Sequence, residues 1–149
     1  MQRLELIRGH LKENKTASLP PKSPDDVVIC AAIRTPLTRA RRGPLKDTPG
    51  EILTAHVIKA IQEKTGLKYE DLGDITFGNV LQGGSANFPT RIGQFLAGVP
   101  YTVPLVTINR LCSSGLEACA QIASKIKAGM IDVGLAGGHE NMTQFTMND

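Results

Sequence analysis

The chain has 149 residues, 41% of them hydrophobic and 21% charged, with a formal net charge of +3 at pH 7, an ordinary size for one domain. Its longest apolar runs are too short to span a bilayer. Three cysteines, an odd number with no metal-ligand spacing and no signal-peptide core ahead of them, argue against a secreted disulfide scaffold and for a reducing compartment.

The charge is uneven: residues 1–46 carry ten Lys/Arg against four Asp/Glu, and residues 47–149 carry seven against ten. A basic arm can meet RNA or an anionic membrane, and Arg39, Arg41, Arg42 and Lys46 are its densest cluster. Those charges surround Gly43-Pro44 and read as a solvated loop. With aromatics at 4% there are few platforms for stacked bases, so no nucleic-acid partner is expected.

In chain order, residues 1–25 read as an arm and linker, the stretch Lys15–Asp26 holding three prolines and two serines, and residues 26–149 as one α/β domain. Val27–Ile33 is apolar and β-branched enough for a first strand, with Cys30 packed inside it. Glu51–Thr65 is an amphipathic helix whose stripe is Ile52, Leu53, Ala55, Val57, Ile58 and Ile61, with Gly66 as its stop. Asp74–Val80 is a second strand, Gln82–Pro89 a loop, Thr90–Leu96 a short helix and Val103–Ile108 a third strand. Gly115–Ala128 is a helix with Leu116, Cys119, Ala120, Ile122, Ala123 and Ile126 turned inward, and Ile131–Ala136 is a fourth strand. This alternation predicts a mostly parallel sheet covered by helices, with right-handed crossovers. Neither a Gly-x-Gly-x-x-Gly fingerprint nor a P-loop is present, so no nicotinamide or flavin cofactor is expected.

Between the third strand and the helix after it lies Asn109-Arg110-Leu111-Cys112-Ser113-Ser114-Gly115-Leu116. Cys112 falls at the helix start, where unpaired N–H groups and the helix dipole favour negative charge and make a thiol a better nucleophile. Ser113 and Ser114 can cap that turn. A small thiol there can equally be a packed hydrophobe, so spacing alone leaves both readings open.

The run resembles the active-cysteine segment of the thiolases, Asn-Arg-x-Cys-Ser-Ser-Gly. Leu111 departs from the Gln found in many peroxisomal members. The resemblance continues in register through Ala32-Ile33-Arg34-Thr35-Pro36, Leu45-Lys46-Asp47-Thr48, Gly73-Asp74-Ile75, Gly78-Asn79-Val80-Leu81, Arg91, Val103-Pro104 and Ala136-Gly137-Gly138-His139-Glu140-Asn141-Met142-Thr143. It implies a thiolase-like N-terminal domain over residues 26–149. It also implies Cys112 as the acyl-thioester nucleophile in thiolysis of 3-oxoacyl-CoA, with coenzyme A as substrate, no further cofactor, and a homodimer. In the family a histidine and a second cysteine move the protons, and an asparagine–histidine pair holds the thioester oxygen. These lie in Asn-Glu-Ala, Gly-His-Pro and Cys-x-Gly-x-Gly segments, none of which occurs here, so the chain reads as an incomplete thiolase. Of His10, His56 and His139, only His139 stands at the C-terminal end of a strand, where α/β sites collect, and its place in the family pattern is not a catalytic one.

The arm, on a thiolase-like chain, has a sharper reading. Arg3, Leu4, His10 and Leu11 match the Arg-Leu-x5-His-Leu pattern of the type 2 peroxisomal targeting signal, an address read by an import receptor, and Leu4, Ile7 and Leu11 share one face if the segment turns helical. Glu5 and Glu13 argue against a mitochondrial presequence. Two other readings stand beside the enzyme: a non-catalytic thiolase-like half serving assembly or regulation, and a lone redox or acyl-carrying thiol protein.

Overall fold

The computed structural model describes residues 21–147. Its elements are α1 (Gly50–Thr65), β1 (Asp74–Gly78), α2 (Asn87–Leu96), β2 (Leu105–Ile108), α3 (Ser114–Lys127) and β3 (Gly134–Gly138), with short 3-10 turns at Tyr69–Asp71 and Gly83–Ala86. The three strands form one parallel sheet in the order β2-β1-β3, with Ile75 beside Leu105 and Leu135, and Gly78 beside Ile108 and Gly138. A central parallel strand is covered on both faces, and every residue of β1 is buried.

The two faces differ. Ile75 and Phe77 point to one side and pack with Ala55 and Ile58 of α1 and with Leu72, Ala97, Val99 and Val103. Asp74, Thr76 and Gly78 point to the other side, where α3 lies. Lys125 of α3 pairs with Asp74 at the start of β1, and Ile122 packs where Gly134 leaves room, since a Cβ there would stand 2.7 Å from its Cγ2. On the first side α2 crosses α1 closely, because Gly93 lets Thr54 and the Glu51 carbonyl approach. Arg91 then fastens the turn into β2, donating to the carbonyls of Val103 and Tyr101 at 2.8 and 2.9 Å, and buried Gln94 donates to the Val103 carbonyl at 2.9 Å.

The α/β architecture agrees with the sequence reading, and several details do not. Val27–Ile33 forms no strand: no ladder joins it to β2 or β3 among the described residues, and Val28 and Ile29 are 70% and 82% exposed. Composition marks a segment able to pair, but a strand also requires the chain to lie along a free edge, and this run lies along neither that of β2 nor that of β3. Cys30 is therefore exposed rather than packed. Cys119 is exposed too, because the stripe of α3 that meets the sheet is Ser114, Ala118 and Ile122, spaced four apart, and Cys119 stands about 100° round from it. Leu116, on the same outer side, is also exposed. The Gln82–Pro89 loop is shorter than expected. α2 begins at Asn87, since Pro89 sits in its first turn, where a missing N–H breaks no helical bond. β3 runs to Gly138, two residues beyond the expected end, since a Cβ at Gly137 would meet the Phe77 ring at 2.8 Å and one at Gly138 the Gly78 carbonyl at the same distance.

Candidate active site

After Ile108 the chain leaves β2 and turns through Asn109–Ser113 before α3 begins at Ser114. Leu111 holds φ at 50°, in the left-handed region that costs a side-chain-bearing residue roughly 1–2 kcal/mol. Local bonds hold it there. Its N–H donates to Asn109 Oδ1 at 3.0 Å, and its carbonyl accepts the Ser114 N–H at 3.0 Å and the Ser114 hydroxyl at 2.7 Å. Ser114 Oγ also accepts the Arg110 N–H at 2.8 Å. Ser114 is thus a buried staple of the turn, while Ser113, at the N-cap position, makes no side-chain capping bond. The turn presents Cys112 to solvent at the C-terminal end of β2, and its start is seated on β1, where the absent side chain of Gly78 leaves room for Ser114.

The ends of the other two strands meet beside this turn. Glu140, just past β3, accepts the Val80 N–H at 2.9 Å on one oxygen, and the Leu81 N–H and Asn79 Nδ2 at 3.3 and 3.2 Å on the other. Asn79 also donates to the His139 carbonyl at 2.8 Å and accepts the Gln82 N–H at 3.1 Å. Asn109 donates from Nδ2 to the Val80 carbonyl at 3.0 Å.

No hydrogen bond joins Cys112 Sγ to a histidine or carboxylate among the described residues. His56 is exposed on α1. His139 lies beneath the start of α1, its Nδ1 3.0 Å from Thr54 Oγ1 and its Nε2 close enough to Gly50 that a Cβ there would stand 2.6 Å away. Burial pushes its pKa below the ordinary imidazole value, against the opposing pull of the Glu140 and Glu51 carboxylates. It is a neutral packing group between α1 and the sheet. No cluster of three His, Cys, Asp or Glu able to hold a metal occurs among the described residues, and no helix there is long and apolar enough to cross a membrane. Arg3, Leu4, His10 and Leu11 lie outside the described residues.

The sequence reading gives no individual role to Asn79, Asn109 or Glu140, which the structure brings together here. Two signals mark them: each lies in a segment that resembles the thiolases, and each is a polar residue just past the end of a strand, where the loops of a parallel sheet converge.

Fold and site define a parallel α/β protein that presents an exposed cysteine from a strand-to-helix turn. The thiolase N-terminal domain family matches residues 27–149, and the chain belongs to the thiolase family. It is 46% identical over 155 aligned positions to the peroxisomal 3-ketoacyl-CoA thiolase B of Rattus norvegicus, covering 96% of this chain and 36% of the relative. It is 50% identical over 120 positions to the peroxisomal 3-ketoacyl-CoA thiolase 1 of Arabidopsis thaliana, covering 80% of this chain and 27% of that one. The dimeric peroxisomal thiolase of Saccharomyces cerevisiae superposes with a TM-score of 0.80 at 37% identity, over 86% of this chain and 34% of its own. The chain spans about a third of the length of these relatives.

Proposed function

We propose that this chain supplies the nucleophile-bearing N-terminal domain, residues 26–149, of a peroxisomal 3-oxoacyl-CoA thiolase, with Cys112 as the acyl acceptor. The observation that carries this is the exposed Cys112 on its stapled turn at the start of α3, within a chain of the thiolase family. The Cys112 thiolate adds to the 3-keto carbon of 3-oxoacyl-CoA. The bond between C2 and C3 breaks, its electron pair passing to the acetyl-CoA fragment, which takes a proton and leaves. The shortened acyl group stays on Sγ as a thioester until the thiol of a second coenzyme A displaces it, giving acyl-CoA and the free thiol. The proton movements belong to family segments absent from these 149 residues, so turnover is a property of the whole thiolase and this chain alone is inactive.

Peroxisomal residence is supported by the names of the relatives and by the Arg3, Leu4, His10, Leu11 pattern, which an import receptor would read. A homodimer is supported by the dimeric yeast relative and by the apolar side chains that α2 leaves uncovered, Phe88 at 81% exposure with Ile92, Phe95 and Leu96. The test is thiolysis of 3-oxoacyl-CoA by the protein as its gene encodes it, not by these 149 residues alone. Activity that disappears in Cys112→Ser with ping-pong kinetics in the parent supports the reading, and activity that survives the substitution overturns it.

A second reading, a non-catalytic thiolase-like half acting in assembly or regulation, is favoured by the lack of any base bonded to Cys112 among the described residues. It predicts that Cys112→Ala leaves the protein's role intact.

A further inference from the structure

We propose that Glu140 is a positioning residue for Cys112, acting across the ends of all three strands through the Val80–Leu81 peptide and Asn109. This inference rests on the reading of Cys112 as the acyl acceptor.

The path is continuous. The Glu140 carboxylate takes the N–H of Val80 on one oxygen and the N–H of Leu81 on the other, gripping both sides of the peptide that joins them. The carbonyl of that same peptide, Val80 C=O, accepts Asn109 Nδ2 at 3.0 Å. Asn109 Oδ1 then accepts the N–H of Leu111, the residue held at φ 50° immediately before Cys112. Bonds to a carboxylate are stronger than neutral ones, and an N–H drawn toward a negative charge polarises the carbonyl of its own peptide, so each link tightens the next. Asn79 braces the start of the path, donating to Glu140 and to the His139 carbonyl.

The arrangement ties the turn's own bonds at Leu111 to the ends of the other two strands. Asn109 can orient its amide toward Leu111 in only one way while its other end is tied to Val80, and Val80 is fixed by Glu140. Without the carboxylate, the Val80–Leu81 peptide loses the two bonds that fix its N–H groups, so the carbonyl that anchors Asn109 is held less firmly and the Cys112 side chain loses part of its fixed direction of attack. Misplacement of a nucleophile by as little as an ångström can cost about a hundredfold in rate, so partial loss of this path is expected to cost about tenfold.

The test uses the protein as its gene encodes it, with kcat for thiolysis expressed per Cys112 that takes an acyl group in a single turnover, so that unfolded molecules do not count. Glu140→Ala is expected to lower this kcat about tenfold while leaving KM within about twofold. Glu140→Gln keeps one acceptor oxygen and is expected to fall between Glu140→Ala and the parent. It also provides the readout if the alanine variant fails to fold. Asn109→Ala combined with Glu140→Ala is expected to lower kcat no further than the weaker single variant, since both cut one path. Values for the Glu140 variants within twofold of a parent that acylates at Cys112, or effects of the two substitutions that multiply, overturn the positioning role and leave the nucleophile standing. A parent that forms no acyl-Cys112 overturns the nucleophile reading, and the positioning role with it.

Discussion

Gly78→Ala tests how the turn bearing Cys112 is seated. Gly78 ends the central strand and is held on both sides, paired with Ile108 and Gly138, and its own carbonyl accepts the His139 N–H at 3.2 Å. A Cβ built on it stands 2.8 Å from both the carbonyl carbon and the Cβ of Ser114, and 3.0 Å from the Gly115 nitrogen. Two of those atoms are backbone at the start of α3, so no side-chain rotation relieves the clash, and the helix start must move by roughly half an ångström. Overpacking of this kind costs about 1–3 kcal/mol, which for a chain of this size lowers Tm by roughly 3–10 °C. Because Ser114 staples Leu111 and Arg110, the displacement also reaches Cys112, and its alkylation by iodoacetamide is expected to fall relative to Cys30 and Cys119 in the same molecule. Thermal unfolding by circular dichroism and mass-spectrometric mapping of the three cysteines read the two effects. Gly83→Ala, where a Cβ meets nothing within 4 Å, is the control. A Gly78→Ala protein as stable as this control, with unchanged Cys112 labelling, refutes the seating of α3 on β1.

Three further outcomes follow from the same contacts. Gly115 lies inside the first turn of α3, and a Cβ there also meets nothing within 4 Å; Gly115→Ala is expected to stabilise the chain by roughly 0.5–1 kcal/mol in urea unfolding, the opposite sign to Gly78→Ala, whose Cβ presses on the same helix start. Phe77→Ala empties the middle of the core and is expected to cost about 3–5 kcal/mol, whereas Val28→Ser, in the exposed Val27–Ile33 run, is expected to change stability by less than about 0.5 kcal/mol by the same measurement. His139 is held below its ordinary pKa of 6.5 by burial, so below pH 6.5 the unfolded chain binds more protons than the folded one, and stability falls as the pH falls through that window. The drop in Tm between pH 7 and pH 5 (roughly the span over which an ordinary imidazole titrates) is expected to be smaller in His139→Gln, and equal drops would show that His139 carries none of it.

What could be read from the residues was what local pattern encodes. The helix α1, the buried run of β1 and the strand-to-helix turn around Cys112 each depend on neighbours within a few positions and stand close to where periodicity puts them, although within the expected α1 stripe Ala55 and Ile58 are buried while Ile52 is 42% exposed. Val27–Ile33 has the composition of a strand, but pairing depends on an edge supplied from elsewhere in space, which no local window contains. On α3 the apolar positions wrap further round the helix than the sheet covers, so Leu116 and Cys119 read as inward from the sequence although the buried positions are Ser114, Ala118 and Ile122. The Glu140 path was least legible, because residues 60 apart along the chain meet only once parallel strands bring their C-terminal ends together. Ser114 was marked as a cap by its residue type, and its actual role as a staple depends on the backbone reversal at Leu111.

The most direct test of the account is where an acyl group lands when the protein purified from its source meets 3-oxoacyl-CoA without free coenzyme A. The account predicts one shortened acyl group per chain, recovered as a thioester on the peptide containing Cys112, with acetyl-CoA released in equal amount and the adduct discharged when coenzyme A is added. Acetyl-CoA release with no adduct on Cys112, or acyl groups spread over Cys30 and Cys119 instead, contradicts it.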